Sequence, residues 1–343
     1  MALPALAPDV LEALGPGALV SWRIERYAGD GTDITLAELT PVGVVCLQRL
    51  YDALLRAHAT LLAALGPARG DEVAALAALA ALAHASWWRD AIDGAAAVEP
   101  RRAGDARARR AVHEVRSGAL PALAAAAEFA ARGMPEPGEA TRAAMLARDH
   151  LKILRNVVRD LDEARRIADL AGHRHDVAML VEKWADAIHR TAPDRRVAVR
   201  IDAHWQGAVS MQCLEFAALD RVVYNLANNA ARFTTDGEVR LAIAALAPGD
   251  ARPADAPDLR LVVANTVEPA HAARLVAHTG GALRDLFRGG FTTGGTGLGL
   301  AICAELVANA YGTSAERAID EGYVGMTLEG TRVLAWAHWP ALA

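Results

Sequence analysis

The chain has 343 residues, 53% of them hydrophobic and 22% charged, with a formal charge of −5. At about 150 residues per domain this length implies two or three folded units, and basic residues interspersed with acids argue against nucleic acid or an anionic membrane surface as partner. Cys46, Cys213 and Cys303 lie far apart without metal-ligand spacing and read as reduced core thiols of a cytoplasmic protein. The N-terminus lacks the basic and apolar regions of a signal peptide, and the alanine-rich run over 73–88 is too short and too polar for membrane insertion.

Taken in chain order, "ALVSWRIERY" and "TDITLAEL" flank Gly29-Asp30-Gly31 and read as a short hairpin. Apolar residues then recur at helical spacing from Pro41 to Leu65, stop at Gly66-Pro67, and resume over 71–92. The segment "DGAAAVEPRRAGD" reads as a connector, so residues 1–100 form a mostly helical N-terminal input or docking region. Two long helices are predicted over 105–131 and 139–170, joined by "RGMPEPG", whose prolines and glycines suit a reversal. Residues 101–172 are thus an antiparallel helical hairpin. Its apolar stripes are too broad for two helices to bury, which implies a homodimer closing a four-helix bundle.

From 173 to 343 helices and strands alternate. "MLVEKWADAIHRTA", "CLEFAALDRVVYNLANNAARF" and "GLGLAICAELVANAYG" read as helices, while "RRVAVRI", "GEVRLAIAAL", "DLRLVVAN" and the closing "YVGMTLEGTRVLAWAHW" read as strands. The last two strands meet in a short turn at Glu329-Gly330, so the sheet must be mixed. The whole chain is of the α+β class, with this C-terminal part an α/β sandwich.

Two segments carry chemistry. Asn225 and Asn229 are four apart on one helix, with Arg232 three further on, so two amides and a guanidinium share a face. An amide oxygen is a hard neutral ligand suited to Mg²⁺, and a guanidinium pairs with phosphate. Downstream, "GGFTTGGTGLG" runs into an apolar helix at Gly297-Leu298-Gly299, so backbone N–H groups at a helix start can approach an anion.

In order and spacing these segments resemble the catalytic ATP-binding domain of histidine kinases, within the GHKL (Bergerat-type) ATPase superfamily. Residues 220–234 are similar to its N box, Phe287 and Phe291 to its F box, and residues 297–300 to its G2 box. The resemblance implies that ATP and Mg²⁺ are bound, with Asn229 as the metal ligand, Asn225 beside it, Arg232 on phosphate, Phe233 near the base, and Gly295, Gly297, Leu298 and Gly299 around the phosphates. It departs from the family at the Asp-x-Gly-x-Gly motif, where this chain has Asn265-Thr266-Val267-Glu268-Pro269. Asn265 can still accept a hydrogen bond from a base, but it is neutral.

Upstream, "HEVRSGAL" resembles the H box of the same kinases. The resemblance implies that His113 accepts phosphate, with Glu114 positioned to take the ring proton and Ser117, one helical turn on, positioned to orient a water. The function expected is that of a histidine kinase passing phosphate to an aspartate of a response-regulator receiver domain, with phosphatase activity toward that domain as a second expectation. The alternative is a degenerate kinase fold that serves as scaffold or phosphotransfer protein. A clamp ATPase is disfavoured, since Asn225 stands where those relatives resemble one another in carrying glutamate, and an anti-sigma kinase would not need the hairpin.

Overall fold

A computed structural model describes residues 33–66, 71–117, 119–135, 138–169, 172–184, 188–192, 195–246, 258–291 and 297–342. The chain divides into a helical unit, Gly31–Ala171, and a unit that contains Gly172–Ala343.

The helical unit begins with a turn where the sequence predicts a strand. Leu36–Glu38 form a single 3-10 turn closed by a capping box in which Glu38 accepts from the Thr35 backbone at 2.8 Å. Only isolated bridges flank it, from Ile34 to Val158 and from Leu39 to Pro100. Residues 33–39 therefore serve as a tie rather than as one arm of a hairpin, whose other arm, with the Gly29-Asp30-Gly31 turn, lies outside the described residues. Helix α1, Pro41–Leu65, starts where Thr40 accepts from Gly43 N at 3.0 Å and Pro41 presets the first turn. Helices α2, Glu72–His84, and α3, Ser86–Gly94, are separate because Ala85 is extended, which turns Trp88 inward while Trp87 lies under the Arg56 guanidinium at 4.2 Å.

The predicted hairpin is present but interrupted. Its first limb is two helices, α4, Ala106–Arg116, and α5, Ala119–Ala131, broken at Ser117 with φ −112° and ψ −144°. Serine and glycine are poor helix formers, so Ser117-Gly118 is where a break costs least. Gly118 itself lies outside the described residues. The second limb is α6, Glu139–Val157, which yields at Val158 to the bridge with Ile34 and resumes as α7, Glu163–Asp169.

The hairpin's apolar stripes are not left for a second copy. Helices α1 and α2 pack on α5 and α6, and Leu47, Leu50, Leu54, Leu79, Leu123, Leu151 and Leu154 lie in one buried cluster. Helices from within the chain thus cover the hairpin, so that four helices share one core. Helix α6 is the central one, and its buried His150 and Arg155 are paired. His150 Nε2 is 3.1 Å from Val115 O, and Arg155 donates to Asp169 at 2.6 Å and to the Tyr51 hydroxyl at 3.3 Å.

The second unit is built on a mixed sheet. Strand β1, Gly172–Asp176, is followed by α8, Val177–Trp184, β2, Ile188–Ala192, β3, Arg195–Ala203, and β4, Ala208–Gln212. The predicted helix "MLVEKWADAIHRTA" thus ends at Trp184, and its last residues pair antiparallel with β3 instead. Next come α9, Cys213–Phe233, β5, Glu238–Leu246, β6, Asp258–Thr266, α10, Pro269–Thr279, and a 3-10 turn at Leu283–Arg288. Helices α11, Gly299–Tyr311, and α12, Ala315–Asp320, precede the hairpin β7, Val324–Glu329, and β8, Arg332–Pro340. The six-stranded order is β2-β3-β5-β6-β8-β7, with β3 and β5 parallel and the other pairs antiparallel, while β1 and β4 form a separate pair.

Strand alternation sets two faces. Ala242, Ala244, Val262, Ala264, Leu334 and Trp336 cluster on one. Asn265, opposite Val333, belongs to the other, and α9 packs on the sheet with α11 against it. Of the three cysteines only Cys303 is buried; Cys46 and Cys213 are partly exposed. Among the described residues no helix is long and apolar enough to cross a membrane, and no cluster of His, Cys, Asp and Glu could hold a metal ion.

Candidate nucleotide site

Helix α9 is buried along most of its surface, and in its second half Tyr224, Asn225, Asn228, Asn229, Arg232 and Phe233 form a half-exposed stripe. A sheet-packed helix that leaves one polar rail open lines a cleft. Its position is set at both ends. Asp220 accepts from Trp184 Nε1 at 2.8 Å and from Lys183, which ties α8 to α9. At the other end Arg195 donates to the carbonyls of Arg232, at 3.4 Å, and of Thr234.

Asn225 and Asn229 face the start of α11. A side-chain carbon placed on Gly299 would lie 3.5 Å from Asn229 Nδ2 and 3.8 Å from Asn225 Oδ1, so the helix start is within ordinary contact distance of both amides. Helix α11 has no side-chain cap, and Gly297, at φ 70°, turns the chain into it. Uncapped N–H groups, the positive end of the helix dipole and two amides therefore converge, an arrangement suited to phosphate and a hard cation. Leu298 is the residue before the first turn, and Gly295 lies outside the described residues.

The opposite end of the rail is built differently. Asn265 is buried, and the residues after it are pinned: Thr235 N donates to Thr266 O at 2.8 Å, and Val267 N donates to Thr331 O at 2.9 Å. Val267 then packs into an apolar cluster with Ala272, Leu275, Leu283, Leu286 and Val333, against which Phe233, Phe291 and Leu300 rest. Two ring contacts close the edge. His271 stacks on Phe233 with centroids 4.2 Å apart and planes at 17°, and His278 meets Phe291 at 4.5 Å. The Arg232 guanidinium stands 5.6 Å from the centre of the Phe233 ring. Burial, helped by the charge of Arg274, holds the His271 pKa below its ordinary value, and Arg274 Nη2 lies 3.3 Å from His271 Nδ1. The imidazole is therefore neutral near pH 7.

Tested against a nucleotide, the phosphate and metal end fits, whereas the base end is occupied by the chain's own Val267, Phe233 and His271. Asn225, Asn229, Arg232, Phe233, Asn265, Gly297, Leu298 and Gly299 belong to one unit. His113, Glu114 and Ser117 lie in the other: His113 is half-buried, Glu114 is buried, and Ser117 is the residue at which α4 stops. Ser117 is thus the C-cap of the helix that carries His113. Arg116, beside them, is held by the carbonyls of Ala95, at 3.2 Å, and Val98.

Sequence reasoning missed His271, Lys183, Asp220 and Arg195. Asp220 opens the segment similar to the N box, whereas the other three sit in no motif; the signal for His271 is a histidine two residues after Pro269, just beyond the segment that departs from the family pattern.

Residues 216–340 match the family model described as histidine kinase-, DNA gyrase B-, and HSP90-like ATPase. Among solved structures, full-length ShkA in complex with AMPPNP is 23% identical, over 60% of this chain and 39% of that chain, with a TM-score of 0.33. The histidine kinase AdeS of Acinetobacter baumannii is 15% identical, over 67% of this chain and 98% of that chain, with a TM-score of 0.31. The chain thus spans well under half the length of the first. No curated protein sequence matches significantly.

Proposed function

We propose, from the premise that residues 216–340 form an ATPase domain of the histidine kinase-, DNA gyrase B- and HSP90-like family, that this chain is a protein histidine kinase whose phosphoacceptor is His113. The observation that carries the reading is the approach of the Asn225 and Asn229 amides to the uncapped start of α11 at Gly299. Asn229 would hold Mg²⁺ through its amide oxygen, Arg232 would pair with phosphate, and the N–H groups at Gly299 would orient it. Bound Mg-ATP would supply the phosphoryl group and the charge that screens it. In the helical unit a neutral imidazole at His113 is a nucleophile near pH 7, and Glu114 is the adjoining carboxylate.

The onward acceptor proposed is an aspartate on a response-regulator receiver domain, which the resemblance at "HEVRSGAL" supports. Association of two copies is not required to bury the hairpin, because α1 and α2 cover it.

A second reading, a phosphotransfer scaffold with weak nucleotide binding, is favoured by one observation: Val267 is buried and hydrogen-bonded where the family has a glycine. Incubation with γ-labelled ATP and Mg²⁺ separates the two. Acid-labile label on the wild type, absent from His113→Ala and Asn229→Ala, supports the kinase. No label on a folded wild type supports the scaffold.

A further inference from the structure

Phe233 is a half-exposed ring on the same helical rail as Asn225 and Asn229, one turn beyond the latter. A ligand that joins a charged group to a flat ring, as a nucleotide does, would place its ring there once its phosphates lie at Gly299. A half-exposed aromatic beside a polar cleft is a stacking platform for any base. In this chain the platform already carries a ring. His271 lies nearly parallel to Phe233 at 4.2 Å, and the imidazole is itself a flat heteroaromatic.

The contact is built rather than incidental. His271 is 5% exposed, and Arg274, one turn on, lies against its Nδ1. Its helix, α10, starts at Pro269, directly after the pinned Thr266-Val267 segment, and Ala272 and Leu275 anchor it in the apolar cluster. Seven residues along the same helix, His278 contacts Phe291, the last described residue before the glycine-rich run. One helix thus places a ring on the end of α9 and another on Phe291.

We propose that His271 is an internal competitor for the Phe233 face: it stacks there in the free protein, and the base of a nucleotide held at Asn229 and Gly299 gains the ring only by displacing it. The proposal rests on the nucleotide reading above and adds the residue that sets base affinity. It separates the two ends of the ligand, since His271 opposes the base and leaves the phosphates alone.

The test measures binding of Mg-ADP and of Mg-tripolyphosphate, a probe without a base, by calorimetry on the full chain. Losing one aromatic competitor should tighten ADP by about threefold to tenfold in His271→Ala, with tripolyphosphate unchanged. His271→Phe, which keeps a ring on Phe233, should bind ADP no more tightly than wild type. Near-ultraviolet circular dichroism establishes that each variant is folded, and if the alanine variant is not, the phenylalanine variant decides. ADP affinity unchanged or weakened in folded His271→Ala, or tightened in His271→Phe, with tripolyphosphate still bound, overturns the proposal alone. Binding of neither probe by any folded variant removes the nucleotide reading, and this proposal with it.

Discussion

The ring of His150, fully buried in the helical unit, lies 3.1 Å from the carbonyl oxygen of Val115, two residues beyond His113. A carbonyl can only accept, so Nε2 of His150 carries the proton. The contact falls in the last turn of α4, and the last carbonyls of a helix as a rule need partners from outside it. His150→Leu should therefore cost about 1–3 kcal/mol of stability, the penalty for a buried acceptor that loses its donor. His150→Gln, whose amide can donate, should recover part of it. Denaturant midpoints of the three proteins check this, and a leucine variant as stable as wild type contradicts it.

Space at Gly299 gives a graded test of the phosphate end. A methyl group there makes only ordinary contacts with the Asn229 and Asn225 amides, and the backbone is helical, so Gly299→Ala should retain Mg-nucleotide binding. The branched Gly299→Val pushes into both amides and should weaken it by about fivefold to a hundredfold, the equivalent of roughly 1–3 kcal/mol of overpacking. Titration with a fluorescent nucleotide distinguishes the two, and equal affinities would place the phosphates elsewhere.

Tyr51 links helices α1, α6 and α7. Its hydroxyl donates to Asp162 at 2.7 Å and accepts from Arg155 at 3.3 Å. Burial alone would raise the Asp162 pKa, but the Tyr51 hydroxyl, the Arg165 N–H and the charges of Arg165 and Arg155 together hold it below the usual carboxylate value. A carboxylate with a lowered folded-state pKa contributes stability that is present above its unfolded value, about 3.9, and is lost as pH falls through the lowered one. Tyr51→Phe should accordingly cost about 0.5–1.5 kcal/mol at pH 7, and the gap from wild type should narrow below about pH 4. Urea melts at pH 7 and pH 3 provide the comparison.

Gly325 offers a control remote from the chemistry. It pairs with Trp336 across β7 and β8, and an added carbon would fall 2.2 Å from the indole ring. Gly325→Ala should destabilise the sheet by about 1–3 kcal/mol through overpacking, unless Trp336 can move, and it leaves the residues of the nucleotide site untouched. Thermal melts should show a lower transition without a change in nucleotide affinity at temperatures where the variant is folded.

Much of the second unit was legible in the sequence because its signals are local. Helix α9 and the strands after it declare themselves through period, and Asn225, Asn229 and Gly299 through spacing along one helix and at the start of another. The helix breaks were harder to read. Ala85, Ser117 and Val158 sit in sequences whose apolar period continues across them, so periodicity alone joins what the structure separates. Ala85 gives way to bring Trp88 inside, and Val158 to bridge Ile34. Each is a tertiary demand overriding local preference.

By itself, then, the sequence determined which residues share the polar face of α9 and which glycines open α11, since four-residue spacing on a helix and glycines before a helix place groups without help from distant parts of the chain. Only the tertiary structure decided what covers the hairpin and what covers Phe233. Both answers come from residues far away in sequence: Leu47, Leu50 and Leu54 share a core with Leu151 and Leu154, and His271 lies on Phe233 across the two strands between α9 and α10. Burial is a property of surfaces brought together in space, and no period along the chain records which distant surface will arrive.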